Sequence, residues 1–192
     1  MAKGLSAESI TVAAAELIEQ YGRSGFSMRL LADTMGVKTA SLYNHIENMD
    51  TLLTEVCRYA LRMQEDGELR AIAGKTGREA VWALAWAYRR FAQQHRELYW
   101  LVMDTAAGEP RVLDDAAARF TEPLKQVLSG FLLPPREEIH FRRMFRAIVH
   151  GFASQEDEGF FSHYPASTEL SFEFAIQRFI DCIMDAEKRN PT

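Results

Sequence analysis

Five histidines, two cysteines and a scatter of carboxylates are the residues of this chain with chemistry to offer, and their spacing offers little of it. His45, His95, His140, His150 and His163 contain no His-x-x-x-His pair, and Cys57 and Cys182 form no Cys-x-x-Cys, so no ligand set for a metal is expected. No Gly-rich loop cradles a phosphate, and no G-x-S-x-G turn presents a nucleophilic serine. Glu156-Asp157-Glu158 near His163 reads as a cation site or, equally, as a solvated acidic turn. The expectation is a protein that is not an enzyme, with no catalytic residue, no metal and no cofactor. Both cysteines read as small buried hydrophobes, a redox-sensor role being the alternative.

More specific information lies near the N-terminus. In Leu31-Ala32-Asp33-Thr34-Met35-Gly36-Val37 followed by Leu42, small Ala32 leaves room for a second helix to cross. Gly36 can take the positive φ of a tight turn, and Leu31, Met35, Val37 and Leu42 can seal a shared core. Those are the requirements of a helix-turn-helix. Its second helix would present Lys38, Thr39, Ala40, Ser41, Tyr43 and Asn44 outward, mostly short or polar side chains that enter a major groove without clashing. A plain corner between two helices of an all-α core satisfies the same spacing.

To hold such a probe the chain must be helical around it. Apolar residues recur every three or four positions, and no stretch alternates between hairpin signals, which predicts an all-α protein of about nine helices. Ser6 opens a helix that buries Ile10, Ala14, Leu17, Ile18 and Tyr21 and that Gly22 ends. Short helices follow at about 27–35 and 39–45, then a long one at 49–69 capped by Asn48. Thr76-Gly77-Arg78-Glu79 fits a capping box, and Gly108 with Pro110 separates two further helices, the second kinked or split at Pro123. Pro134-Pro135 opens a helix reaching about residue 155, and Ser167 or Thr168 caps the last.

Hydrophobic residues make up 47% of the 192 and charged residues 26%, ordinary globular usage that excludes a disordered or low-complexity chain. The apolar runs at 81–88 and 98–103 fall far short of the roughly 20 residues of a membrane span. Glu8, Glu16 and Glu19 leave no apolar core for a signal peptide, so a cytoplasmic protein with reduced cysteines and no membrane partner is expected. The net charge of −5 argues against a surface that grips nucleic acid throughout. Any DNA contact must be local.

The wording of the N-terminal segment separates the two readings of the corner. Phe26-Ser27-Met28-Arg29-Leu30-Leu31-Ala32, Gly36-Val37 and Leu42-Tyr43-Asn44-His45-Ile46-Glu47-Asn48, with an amphipathic helix before and Leu52-Leu53 after, resembles the tetracycline-repressor (TetR) family of bacterial transcriptional regulators. The resemblance covers about residues 6–55, and its most specific part is Leu42-Tyr43-Asn44-His45. It implies a three-helix DNA-binding domain at 1–48 and a larger helical effector-binding and dimerisation domain at 49–192, whose first helix links the two.

The partner so implied is double-stranded operator DNA. Ser27 and the helix it starts would meet phosphates; Arg29, Lys38, Thr39, Ala40 and Ser41 would reach bases or nearby backbone; Tyr43 and His45 would meet backbone, with Asn44 beside them. One departure stands out. Residues 1–50 carry Lys3, Arg23, Arg29 and Lys38 against Glu8, Glu16, Glu19, Asp33, Glu47 and Asp50, a net −2, and Met49 stands where family members often carry a phosphate-binding lysine. A missing phosphate-binding cation flattens the salt dependence by about 0.9 in log–log slope, so modest affinity is expected.

Further along, Phe141, Phe145, Ile148 and Phe152 form one stripe and His140, Met144, Ala147 and Gly151 its neighbour, together too wide for a helix packed on one side. With the last helix they are expected to form a four-helix homodimer interface through Met144, Ala147, Gly151, Phe172, Ile176, Phe179 and Ile183, as in TetR-like proteins; the alternative is a monomer that buries these faces internally. Two recognition helices about 34–36 Å apart read a palindrome that one short helix cannot. Phe145-Arg146-Ala147-Ile148-Val149-His150-Gly151-Phe152 is similar to a His-Gly signature of one TetR subgroup. Gly151 in mid-helix costs roughly 1 kcal/mol against alanine, which calls for close packing or a ligand over the backbone.

Trp82, Trp86, Tyr99, Trp100, Met103, Phe141, Phe145 and His150 are candidates to line an apolar effector cavity with one polar handle, or else plain core. The function expected is a dimeric repressor that occupies a palindromic operator and is released by a small apolar or amphipathic effector. Its rival is a helical small-molecule-binding or catalytic protein whose helix-turn-helix is only structural, a reading supported by the sparse positive charge of the first 50 residues.

Overall fold

The structure, a computed structural model, describes residues 5–108 and 114–189, with side chains over 5–106 and 121–189. Among these residues are nine α-helices and no strand: α1 (Ala7–Gly25), α2 (Met28–Met35), α3 (Thr39–Leu42), α4 (Met49–Ile72), α5 (Gly77–Gln94), α6 (Arg96–Gly108), α7 (Asp114–Leu128), α8 (Pro135–Asp157) and α9 (Thr168–Lys188). The break expected at Pro110 lies outside the described residues. Packing divides the chain into two compact units, one of residues 1–63 and 95–120, the other of 64–94 and 121–192.

In the first unit α1 packs against α2 and α6, and α2 against α3. Ser6 caps α1 reciprocally: its Oγ accepts from the Ser9 amide at 3.1 Å while the Ser9 Oγ accepts from the Ser6 amide at 2.9 Å. Ile10, Ala14, Leu17 and Ile18 form the buried face. At Gly22 the chain departs from helical geometry with φ 70° and ψ 166°, a region that essentially only glycine occupies. Tyr21, expected on the buried face, is half exposed at that departure. Glu19 Oε1 lies 3.2 Å from Nδ1 of His95, just ahead of α6. Burial raises the Glu19 carboxyl above its ordinary value, and His95 opposes that rise. The thiol of buried Cys57 in α4 reaches the Thr105 hydroxyl at 3.4 Å and the Leu101 carbonyl at 3.7 Å in α6. Cys182, expected to be buried, is exposed, because its position on α9 faces away from the core.

In the second unit α8 packs on α5 and α9, and α5 on α9. Leu84, Val149, Phe172, Ile176, Phe179 and Ile183 form the dry centre. Arg89 of α5 fastens α8 by two hydrogen bonds to Glu156, from Nε at 3.1 Å and from an η nitrogen at 2.5 Å. Its guanidinium also lies 5.1 Å from the Trp86 ring and 4.9 Å from the Phe172 ring. Pro134 and Pro135 open α8, and Ser167 caps α9 by accepting from the Leu170 amide at 3.4 Å. Pro123 lies inside α7. At the start of α5 the reciprocal box expected from Thr76 and Glu79 does not form; the Thr76 carbonyl accepts from Ala80 at 3.3 Å, and Gly77 takes φ 52°.

Candidate nucleic-acid interface

The helix-turn-helix is built from three local devices. Ser27 is extended, and its Oγ accepts from the Leu30 amide at 3.1 Å, so α2 starts abruptly with the hydroxyl proton still available to an outside acceptor. Gly36 ends α2 in left-handed geometry (φ 68°, ψ 29°), and the Val37 amide returns to the Ala32 carbonyl at 3.0 Å. Lys38, extended again, begins α3, its carbonyl accepting from Ser41 at 2.8 Å. Four residues are helical, shorter than the 39–45 expected. The chain then tightens into a turn in which the amides of His45 and Ile46 share the Leu42 carbonyl at 2.9 and 3.1 Å.

Leu31, Ala32, Leu42 and Ile46 are buried and fix the corner from inside. Around them Ser27, Arg29, Lys38, Ala40, Tyr43, Asn44 and His45 are exposed, and Thr39 and Ser41 are partly so. All nine residues expected at DNA therefore reach the surface of one short segment. Arg29 Nε stands 3.9 Å from Asp33 Oδ2 with both side chains in solvent, an ion pair worth little and easily surrendered to a phosphate. Asn48 closes the segment by accepting from the Thr51 amide at 2.9 Å, which starts α4.

The residues expected in an effector cavity divide between the two units: Tyr99, Trp100 and Met103 in the first, Trp82, Trp86, Phe141, Phe145 and His150 in the second. Tyr99 is buried and meets Trp100 edge to face at 5.5 Å. Trp86 meets Phe172 at 5.3 Å, while Phe141 and Phe145 both pack on Phe179, at 6.0 and 5.5 Å. Aromatic pairs of this kind are ordinary core packing. Desolvation, and then the Arg146 charge, lowers the His150 pKa below its ordinary value, which favours the neutral imidazole.

Of the residues expected at a dimer interface, Phe172, Ile176, Phe179 and Ile183 are 0% exposed within the single chain and have no surface to give a partner. Met144 and Ala147 are exposed and Gly151 partly so, with open space where a Cβ would stand on Gly151. On α9 the exposed large apolar residues are Leu170 and Phe174. Sequence reasoning also passed over Gln64 and Glu68, buried polar residues of α4. The signal was available: they continue, at three- and four-residue spacing, the stripe begun by the buried Cys57 and Leu61.

Comparison with known proteins adds the decisive observation. Residues 10–56 match the pattern of bacterial regulatory proteins of the tetR family, and residues 81–179 that of the tetracyclin repressor-like C-terminal domain. The chain belongs to the TetR family. Over 186 residues it is 26% identical to YobS, an HTH-type transcriptional regulator of Bacillus subtilis (strain 168), with 94% of each chain covered. Among solved structures, a TetR regulator from Streptomyces coelicolor superposes with a TM-score of 0.78 at 17% identity, covering 96% of this chain and 100% of that one. A TetR variant from Acinetobacter baumannii AYE in complex with minocycline gives 0.70 at 18% identity, covering 96% and 99%. The TetR N-terminal helix-turn-helix and C-terminal helical domain account for the fold, and the protein is a TetR-type transcriptional regulator.

Proposed function

We propose that this TetR-family regulator is a cytoplasmic, homodimeric, non-enzymatic repressor that occupies a palindromic operator and leaves it when a small apolar or amphipathic effector binds the C-terminal part. The observation that carries the reading is the corner around Leu42 and Ile46. Its buried side chains serve the core, while Ser27, Arg29, Lys38, Tyr43, Asn44 and His45 have polar groups in solvent. Ser27, Tyr43 and His45 take the phosphates, and Arg29, Lys38, Thr39, Ala40 and Ser41 take bases or adjacent backbone. In functional terms residues 1–48 read DNA and 49–192 pair the subunits and bind effector.

Pairing uses the outer face of α8 and α9, Met144, Ala147 and Gly151 with Leu170 and Phe174, while Phe172, Ile176, Phe179 and Ile183 support that face from beneath. The minocycline bound by the Acinetobacter baumannii neighbour supports a small-molecule effector for the fold. An effector that prefers one position of α4 changes the separation of the paired recognition helices, and that preference suffices for release. The test is a mobility-shift and footprinting experiment on the DNA upstream of the gene and its neighbour, backed by selection from random duplexes. Protection of two half-sites one helical turn apart is expected; no retained duplex at low salt overturns the reading.

A further inference from the structure

The second unit contains one buried and one partly buried carboxylate whose surroundings differ sharply. Glu156 receives two hydrogen bonds from Arg89 and a third from Gln93 Nε2 at 3.1 Å, and the cluster ties α5 to α8. Glu68 is 5% exposed and receives one hydrogen bond, from Gln64 Nε2 at 2.8 Å. Gln64 lies four residues earlier on the same helix, so the pair joins no two elements. Their hydrogen bond stays within α4, and α8 acts on Glu68 through the charge of Arg146.

Their remaining atoms indicate what the pair is for. Gln64 directs an amide N–H to Glu68 Oε1, which leaves Gln64 Oε1 and Glu68 Oε2, both oxygens, without a hydrogen bond among the described residues. Among the described residues only Arg142 Nε is at once fully sealed and unpartnered, so each of these two oxygens keeps some contact with solvent. With Glu68 ionised both oxygens are acceptors, and a donor reaching them pairs both at once.

We propose that Gln64 and Glu68 form the polar recognition point for an effector carrying a protonated amine, whose N–H groups donate to Glu68 Oε2 and Gln64 Oε1. The inference rests on the reading of the C-terminal part as an effector-binding region. Burial pushes the Glu68 carboxyl up to about 8, against the pull of Gln64 and Arg146 and with a small push from Glu65. At pH 7 the empty site therefore keeps its proton, and an arriving ammonium displaces it to solvent as the ion pair forms. Among the described residues Arg146 is the positive group acting on Glu68; it favours the carboxylate and opposes a second cation, so the amine must bond directly to the oxygen.

The test uses three probes of one shape, 1-naphthylmethylammonium, 1-naphthylmethanol and 1-naphthoate, titrated calorimetrically into the full-length protein in buffers of different ionisation enthalpy. The ammonium should bind at least tenfold more tightly than the alcohol and release close to one proton at pH 7, and the anion should bind most weakly. Glu68→Gln should abolish both the preference and the proton release. Gln64→Met should reduce the preference several-fold. Equal binding of ammonium and alcohol, or a preference that survives Glu68→Gln, overturns the amine assignment and leaves the effector reading standing. Failure of all three probes to bind overturns both.

Discussion

Tyr43 and Lys38 sit five residues apart in the exposed part of the corner, and their chemistry separates two kinds of DNA contact. A phenol offers one hydroxyl to a phosphate, which every sequence presents, whereas the Lys38 ammonium at the start of α3 can meet a base edge. Tyr43→Phe should weaken binding by a similar factor on all duplexes. Lys38→Ala should also blur the preference at one base position in a selection experiment; a uniform loss from both variants removes the base-reading role. Glu68 supplies a prediction of another kind. Its folded pKa of about 8 lies above the ordinary 4.5, so between these values the unfolded chain has lost a proton that the native chain keeps. Native stability therefore falls as pH rises across that window, by about 1.4 kcal/mol per unit at most, and flattens above it. Relative to Glu68→Gln, the wild-type Tm should decline from pH 5 to 8 and then hold a constant gap. The burial of Glu68 was legible in the spacing that continues the Cys57–Leu61 stripe, but its retained proton was not, because desolvation depends on which groups other helices bring around the carboxyl.

Helix boundaries show why some elements could be read and others could not. Ser6, Ser27, Asn48 and Ser167 act through their own side chains on amides three residues away, so the signal is local and survives in one dimension. Gly22 is equally local, and Gly22→Ala should destabilise the protein by about 1–3 kcal/mol in denaturant unfolding. The added methyl would also stand 3.3 Å from Glu97 Oε2. The apolar face of α9 is different. Periodicity shows that Phe172, Ile176, Phe179 and Ile183 must be covered but not by what, and α5 and α8 of the same chain cover them before any partner can. The Arg89–Glu156 clamp, 67 residues apart in sequence, leaves no pattern at all. Removing Arg89 leaves the partly buried Glu156 carboxylate with Gln93 alone, so Arg89→Ala should cost about 3 kcal/mol, measurable as a drop in the denaturation midpoint at unchanged m-value.

At the scale of the whole molecule, charge governs how the regulator meets DNA. The chain carries −5 overall, and its first 50 residues are themselves acidic, with Asp33 beside Arg29. If a dimer brings Arg29 and Lys38 twice to the backbone, the log–log salt slope should be no steeper than about −4, and operator binding measured between about 50 and 200 mM salt checks it. A steeper slope would require positive groups beyond those two pairs.

The Arg29–Asp33 pairing reaches into the life of the cell. Bulk chromosome attracts regulators by indiscriminate charge and normally holds most copies away from their targets. A regulator with few cations in its DNA-facing segment, one of them beside a carboxylate, should be poorly sequestered in that way. Its lifetime on non-target duplex should therefore be short even at low salt, which single-molecule tracking on stretched DNA checks.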